Sequence, residues 1–285
     1  MKIAVGSANF EKKYTFQKQR FFQKEFRELN IILKKSKIDL IDTADNYKNY
    51  NKISQLSKIK NIKIVSKISF KKNYKQNLGL VVNKKINFIL NSIKIKKIYA
   101  ILFHNYNDIL QPNGKEILKH LLKLKENKVI EKIGISIYDP KELDRIFTIF
   151  KPDIVQAPMN VLDQRLHRSN WLNQLKKENI EIHIRSCFLQ GLLIDYDLKA
   201  KINKRFTKWQ KKLDNWNNWC KKNKISNIKA CLDFLKKFKN IDYVVVGFNN
   251  TTQLLDLIKI FKSRIKFIPN KFNCIDKNLI EPKNW

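Results

Sequence analysis

The chain has 285 residues, is 43% hydrophobic and carries a formal net charge of +34. This length suits one barrel-sized domain or two smaller ones, and the hydrophobic content excludes a disordered chain. No apolar run approaches the roughly 20 residues that a membrane helix needs. The N-terminal segment lacks the long apolar core and the cleavage site of a signal peptide. We therefore expect a cytoplasmic protein.

The positive charge is spread along the whole chain, among many Ile and Asn residues whose codons are also rich in A and T. A biased genome composition explains such a surplus, and an anionic ligand or surface is the alternative. No nucleic-acid-binding motif is present, so we expect neither nucleic acid nor membrane as a partner. We expect reduced, buried thiols and no metal site, because no Cys-x-x-Cys pair occurs among Cys187, Cys220, Cys231 and Cys274.

Eight short apolar runs rich in Ile and Val recur along the chain, separated by longer charged segments. Most of them are continuous rather than alternating, which is typical of parallel strands covered on both faces. The predicted strands are Ile3–Val5, Ile38–Ile41, Ile62–Val65, Ile98–Phe103, Ile133–Ile137, Ile154–Ala157, Ile180–Ile184 and Tyr243–Val246.

Amphipathic segments with apolar residues at helical spacing lie between these runs. Eight such units match the usual size of a closed (β/α)8 TIM barrel of the α/β class. An open doubly wound sheet is the alternative, but its Gly-rich turn after the first strand is missing. We predict one barrel domain over residues 1–265 and a basic tail over 266–285 that packs on or beside it. The predicted helices are Phe16–Lys35, Asn77–Ile93, Lys115–Lys125, Pro140–Phe150, Asn170–Lys177, Lys204–Lys222, Ser226–Lys237 and Thr252–Lys262.

Polar residues follow three successive predicted strands. Asp42 and Tyr47 come after the second, Lys67 after the third and His104 after the fourth. Catalytic side chains of such barrels come from the C-terminal ends of the strands, so we expect these four on one rim.

Together these residue types suit the reduction of a carbonyl group, which needs a hydride at carbon and a proton at oxygen. Tyr47 can give the proton, and the ammonium group of Lys67 favours its release. Asp42 can hold Lys67 by a charge-assisted hydrogen bond, and His104 can orient the substrate oxygen through an N–H group.

The same segments resemble the aldo-keto reductase family, whose tetrad is Asp, Tyr, Lys and His in this order, with the Asp five residues before the Tyr. The resemblance continues through Gly134–Pro140, Val155–Asn160, Arg185–Leu193 and Val246–Leu254. It implies catalytic roles for Asp42, Tyr47, Lys67 and His104, and a nicotinamide cofactor, NADPH, with NADH as the alternative. It implies that the cofactor contacts Gly6, Ser7, Ala8, Ser136, Gln156, Arg185, Ser186, Phe188, Gln190, Gly191, Gly247, Asn249, Gln253 and Asp256.

Several positions depart from the family pattern. Ile137 replaces a frequent Asn, and Arg185 takes the position of the aromatic residue that stacks on the nicotinamide ring. Gln253 stands where the family has an Arg for the adenosine 2′-phosphate, and Lys48 replaces the Gly after the catalytic Tyr. These departures concern cofactor contacts and loop shape, while the tetrad itself is intact.

The sequence thus predicts an NAD(P)H-dependent oxidoreductase that reduces an aldehyde or ketone, including sugar-derived or anionic carbonyl compounds, with Tyr47 as the general acid. The alternative is a cofactor-binding barrel without catalysis that serves as an accessory or sensing subunit. We expect a small-molecule carbonyl substrate and a monomer or small homo-oligomer.

Overall fold

The computed structural model describes residues 1–11, 23–70, 74, 77–195 and 204–285. Its core is a closed barrel of parallel strands, in which each strand pairs with the next and the eighth pairs with the first. This confirms the predicted (β/α)8 TIM barrel. The strands, β1 to β8 in chain order, are Lys2–Gly6, Leu40–Ala44, Lys63–Ile68, Ile98–Phe103, Ile130–Ser136, Ile154–Pro158, Glu181–Arg185 and Tyr243–Val246.

The strands β2 and β3 extend further than their apolar runs. Asp42 and Lys67 lie inside these strands, so the expectation that they follow them is wrong. The two residues continue the ladder, because Asp42 is opposite Val65 and Lys67 is opposite Ala44 in the β2–β3 register. Apolar runs underestimate the length of a strand whose C-terminal end carries polar side chains with partners inside the barrel.

Close packing between β5 and β6 depends on Gly134. A Cβ atom at this position would lie 2.3 Å from the backbone oxygen of Ile154 and 2.6 Å from Leu102. Glycine is therefore required here by the close approach of a neighbouring backbone, which is a common reason for glycine inside a strand.

Helices cover the outside of the barrel, and several begin at a side-chain cap: Asn77, Ser226 and Asn250 each accept a backbone N–H of the first turn. Residues 16–22 of the first predicted helix lie outside the described part of the chain. Across the described residues, the structure contains no helix long and apolar enough to cross a membrane. The longer helices are Gln23–Ser36, Leu78–Ile93, Gly114–Glu126, Gln210–Lys222, Asn227–Lys236 and Thr251–Lys262; the shorter ones are Tyr50–Ile53, Asn107–Leu110, Glu142–Ile146, Arg165–Arg168, Trp171–Lys177 and Lys277–Ile280.

The segment after residue 265 packs against the barrel and its helices. The backbone N–H of Cys274 donates to the carbonyl oxygen of Leu162 at 2.8 Å. Phe272 packs edge-on against Trp216, with ring centroids 5.1 Å apart. All four cysteines of the chain are buried free thiols, as the sequence predicted.

Candidate active site

A buried ion pair lies at the C-terminal end of the barrel. The Lys67 Nζ atom is 2.5 Å from Asp42 Oδ1, and the two residues are only 2% and 4% exposed. The other carboxylate oxygen of Asp42 accepts a hydrogen bond of 2.7 Å from Gln156 Nε2. Burying charges is costly unless they are paired and hydrogen-bonded, and both conditions are met here.

Tyr47 and His104 lie next to this pair. Lys67 Nζ is 5.5 Å from the centroid of the Tyr47 ring. The rings of Tyr47 and His104 meet edge to face, with centroids 6.5 Å apart and an interplanar angle of 89°. The four tetrad residues, which come from three separate segments of the sequence, are thus brought together at one end of the barrel.

His104 has an environment that disfavours its charged form. Burial lowers the pKa of its imidazole, and the positive charge of Lys67 lowers it further, to about 4. The ring is therefore neutral at pH 7 and keeps one N–H group as a donor. Its backbone N–H donates to the carbonyl oxygen of Ile68 at 2.9 Å, which ties the ends of β3 and β4 together.

The loop after Tyr47 is held by a buried asparagine. Asn49 accepts a hydrogen bond from Thr43 and donates to the carbonyl and the hydroxyl oxygen of Ser7, at distances of 2.8, 2.7 and 3.1 Å. Lys48 lies in the left-handed region with φ = 55°, which explains why glycine suits this position. The loop thus keeps a backbone shape that glycine would adopt at lower cost.

A cavity of about 650 Å³ opens beside these residues. It has the size and the mixed polar and apolar lining of a small-molecule site. Four predicted site residues are not in its wall: Ser7, Lys67, His104 and Ser136, of which the first, second and fourth are buried. The predicted residues that line it are Gly6, Ala8, Asp42, Tyr47, Gln156, Arg185, Ser186, Phe188, Gln190, Gly191, Gly247, Asn249, Gln253 and Asp256.

Two amides in the cavity wall have a buried oxygen without a hydrogen-bond partner among the described residues. They are Gln156 Oε1 and Asn9 Oδ1. Because an unsatisfied buried acceptor costs free energy, each oxygen favours a ligand that can donate an N–H or O–H group. Gln156 is opposite Ser136 in the β5–β6 register, but Ser136 is outside the cavity wall, so the amide of Gln156 is the group of this pair that would meet a carboxamide ligand.

The cavity is bordered on one side by the loop that follows β7. Ser186, Leu189, Gln190 and Gly191 all have positive φ angles, of 59°, 48°, 52° and 89°. The buried amide of Asn160 donates to the carbonyl oxygen of Ser186 at 3.0 Å and holds the start of this loop.

The opposite side is the turn between β8 and the helix Thr251–Lys262. Asn249 N–H donates to the side chain of Gln253 at 2.9 Å, and Asn250 caps the same helix by accepting from Gln253 N–H at 2.8 Å. Asn9 reaches across from the first βα turn and donates to Asn249 at 3.0 Å. Gln253 therefore shapes the turn as well as lining the cavity.

Sequence reasoning missed several residues of the cavity wall, including Asn9, Tyr138, Asp195 and Lys283. Asn9 and Tyr138 each follow a predicted strand, so the rule that located His104 could have found them. Lys283 lies in the C-terminal segment and had no such signal, because its ion-pair partner Glu281 is held by Arg165, which is far away in the sequence.

Comparisons with known proteins agree with this architecture. The model of the aldo/keto reductase family matches residues 2–279. The fold is similar to that of an aldo-keto reductase from Bacillus halodurans in its holo form, with a TM-score of 0.73, 14% sequence identity, and coverage of 93% of this chain and 88% of that chain. It is also similar to a glycerol dehydrogenase from Gluconobacter oxydans, with a TM-score of 0.69, 17% identity, and coverage of 94% and 88%.

At these identities the structural likeness shows the fold, and it is the family model that shows the relationship. A comparison with curated proteins gives no match. Family and fold together support an oxidoreductase that acts on carbonyl compounds. This chain belongs to the aldo/keto reductase family.

Proposed function

We propose that the protein is an NAD(P)H-dependent carbonyl reductase in which Tyr47 gives a proton to the carbonyl oxygen of the substrate. The observation that carries this proposal is the buried Asp42–Lys67 pair next to the ring of Tyr47, at the edge of a cavity of about 650 Å³. A nearby ammonium favours loss of the phenolic proton, and the carboxylate keeps that ammonium in place.

The cavity wall fits a nicotinamide dinucleotide. When bound, the nicotinamide supplies the hydride that the protein itself lacks. Gln156 Oε1 is a buried acceptor without a partner among the described residues, and it would accept from the carboxamide. The resemblance assigns the rest of the cofactor to the segments around Ser186 and Gly247. We propose NADPH from the resemblance. NADH is the alternative, because neither Gln253 nor Asp256 at the expected adenosine end carries a positive charge that could pair with a 2′-phosphate.

His104 would act as a neutral donor. Its pKa of about 4 keeps the imidazole uncharged at pH 7, so its N–H group can orient the substrate oxygen without competing with Tyr47 as an acid. Both groups lie at the end of the barrel where catalytic residues of this fold are found.

The test replaces Tyr47 with phenylalanine and leaves the ring in place. We expect Tyr47→Phe to lower kcat/KM for an aldehyde such as 4-nitrobenzaldehyde by about 100- to 10,000-fold, the usual contribution of a general acid. The affinity for NADPH, measured by fluorescence titration, should stay within about threefold. The matched control is Tyr106→Phe, a tyrosine outside the cavity wall, which should keep its activity. Full activity in Tyr47→Phe would refute the assignment of the acid.

A non-catalytic barrel is the second candidate. It is favoured by the Arg185 side chain, which packs on Tyr138 with its Cζ atom 4.2 Å from the ring centroid, since the resemblance assigns cofactor stacking to this position. This candidate predicts cofactor binding without turnover across a broad panel of aldehydes and ketones. The same titration and assay therefore separate the two functions.

A further inference from the structure

One aromatic ring in the cavity wall contacts two cations. Arg185 Cζ lies 4.2 Å, and Lys283 Nζ 4.1 Å, from the centroid of the Tyr138 ring. All three residues line the cavity. Tyr138 follows β5, Arg185 ends β7, and Lys283 belongs to the C-terminal segment. Three distant parts of the sequence thus place two positive charges beside one phenol ring.

The charge of Arg185 is not balanced by a carboxylate. Its guanidinium donates to the carbonyl oxygen of Ile137 at 2.9 Å and to the hydroxyl of Ser186 at 3.3 Å. Within residues 1–11, 23–70, 74, 77–195 and 204–285, no acidic side chain forms an ion pair with it. A guanidinium has five N–H groups, so most of its donor capacity is left for a ligand. Arg185 also lies close enough to His104 to lower the pKa of that imidazole, after burial and Lys67.

Lys283 belongs to a cluster that is already neutral. Arg165 pairs with Asp163 at 2.8 Å and with Glu281 at 2.6 Å, and Glu281 also pairs with Lys283 at 3.1 Å. Asp139 completes the cluster by pairing with Arg165 at 3.5 Å and with Lys277 at 2.7 Å. Three carboxylates thus balance three cations. The positive charge of Arg185 is additional to this set, whereas Lys283 brings a cation that is already paired with Glu281 to the same ring.

We propose that Arg185, assisted by Lys283, binds an acidic group of the substrate, so that the protein acts on carbonyl compounds that carry a carboxylate or a phosphate. This inference rests on the proposed reductase function. A guanidinium presents its N–H groups as a planar fork that matches both anions, and the half-buried position of Arg185 reduces screening by water. Arg185 is thereby a specificity-determining residue, and Tyr138 is the positioning residue that fixes its plane.

The experiment compares substrates that differ only in charge. 4-Oxobutanoate is matched with its methyl ester, and glyceraldehyde 3-phosphate with glyceraldehyde. In at least one pair, kcat/KM should be about tenfold or more higher for the anion at 50 mM salt, as one charge-assisted pair is worth more than 1.4 kcal/mol. The preference should shrink at 500 mM salt, because the ionic attraction is screened. Equal rates in both pairs would overturn the inference.

Substitutions of Arg185 and Lys283 test which residue produces the preference for the anionic substrate. Arg185→Leu should lower kcat/KM for the anionic partner by about tenfold or more beyond its effect on the neutral partner, because the effect on the neutral partner already contains whatever this position contributes to cofactor binding. Arg185→Lys should keep part of the preference, since the charge remains and the fork is lost. Lys283→Gln should reduce the preference for the anionic substrate by a smaller factor than Arg185→Leu does. The control Lys119→Gln removes an exposed charge on the helix Gly114–Glu126, outside the cavity wall, and should leave the preference unchanged. A loss that is equal for anionic and neutral substrates would show that Arg185 serves the structure or the cofactor instead.

A binding measurement separates this inference from the reductase proposal. Succinate has two carboxylates and no carbonyl group to reduce, and its binding can be followed by calorimetry without turnover. Binding of succinate that depends on Arg185, in a protein that reduces none of the aldehydes, would refute the reductase and support the anion site. Turnover of neutral aldehydes without binding of succinate would support the reductase and refute the anion site.

Discussion

The strand β3 carries one lysine at each end of the barrel, and the two differ in almost every respect. Lys67, at the C-terminal end, is 2% exposed, touches Asp42 at 2.5 Å and lies beside the ring of Tyr47. Lys63, at the N-terminal end, has a third of its side chain exposed and lies 3.8 Å from Asp39. Its ammonium group is near two rings, 4.8 Å from the centroid of Tyr99 and 5.8 Å from that of Tyr243.

The N-terminal end of the barrel contains a polar network around Glu181, in which His183 Nδ1 is left without a hydrogen-bond partner among the described residues. Glu181 accepts hydrogen bonds from Tyr99 at 2.6 Å and Lys132 at 2.5 Å, and it contacts His183 at 2.6 Å. Burial alone would raise the pKa of Glu181, but His183, Lys132 and Tyr99 outweigh it and hold the pKa at about 2. Both ends of the barrel therefore contain a lysine–carboxylate pair. What distinguishes the C-terminal end is the cavity of about 650 Å³ beside it, so buried charge alone does not identify a reactive centre.

The largest effect on activity should come from removing the lysine at the C-terminal end of the barrel. Lys67→Met takes the ammonium away from Tyr47 and leaves the buried carboxyl group of Asp42 without its ion pair. We expect kcat/KM to fall about 100- to 10,000-fold and the free energy of unfolding to fall by about 3 kcal/mol. The control is Lys63→Met on the same strand, which should keep kcat/KM within about twofold. Comparable losses of activity in both variants, measured on protein shown to be folded by circular dichroism, would contradict the difference between the two ends.

Glu181→Gln should affect stability and spare activity. The carboxylate of Glu181 stabilises the fold at pH 7 because its pKa is about 2 in the folded chain, against an ordinary value of 4.5. This contribution is fully present above pH 4.5 and is lost as the pH falls to about 2. We expect urea denaturation at pH 7 to show a loss of about 3 kcal/mol. Glu178→Gln, which removes an exposed ion pair with Lys151, should produce no resolvable change. A large loss of kcat/KM in Glu181→Gln would mean that the N-terminal end takes part in function.

The pKa of His104 predicts a dependence of stability on pH. Since this pKa is about 4 in the folded chain and 6.5 ordinarily, protonation between these values favours the unfolded chain. The penalty is absent above pH 6.5 and complete below pH 4. At pH 5 it should be about 2 kcal/mol. The His104→Asn variant should lack this protonation penalty. Its free energy of unfolding relative to the natural chain should therefore rise by about 2 kcal/mol between pH 7.5 and pH 5. An unchanged difference would show that His104 titrates normally.

The smallest effect concerns the loop after Tyr47. Lys48 has φ = 55° and is exposed, and a left-handed conformation costs a side-chain-bearing residue about 1 kcal/mol. We expect Lys48→Gly to raise the free energy of unfolding by up to about 1 kcal/mol and to leave kcat/KM unchanged. The comparison is Lys119→Gly inside the helix Gly114–Glu126, where glycine should lower stability by a similar amount. Destabilisation by both substitutions would show that Lys48 contributes contacts beyond its backbone angle.

The sequence predicted the fold well because the pattern that indicates a buried strand is local in the sequence. Buried parallel strands are continuous apolar runs, and the predicted strands Ile98–Phe103 and Tyr243–Val246 agree with the structure at both ends. Strand ends were less accurate where polar residues such as Asp42 and Lys67 belong to the strand. The predicted helix Pro140–Phe150 is reduced to Glu142–Ile146, since the apolar pattern does not show where a helix begins and ends.

The site was only partly predictable, for a related reason. Residues directly after strands, such as His104, can be read from the order of elements. The contacts of Arg185 cannot, because its packing on Tyr138 depends on where β5 and β7 end in space. The position of Lys283 depends on the pairing of Glu281 with Arg165, which lies 116 residues away in the chain. Sequence reasoning can therefore find the residues that the barrel itself places, although it missed Asn9 and Tyr138. It has no means of finding those placed by ion pairs across the barrel.

The amide of Gln156 has a consequence for stereochemistry. A carboxylate can only accept hydrogen bonds, so Asp42 holds the NH₂ group of this amide on its own side and leaves the amide oxygen as a buried acceptor without a partner among the described residues. The amide cannot turn over while that charge persists. A planar ligand group that has a donor on one side and an acceptor on the other would then be held in one of its two orientations. In the proposed reductase, the face of the nicotinamide ring that gives the hydride would then depend on the hydrogen bond between Gln156 and Asp42.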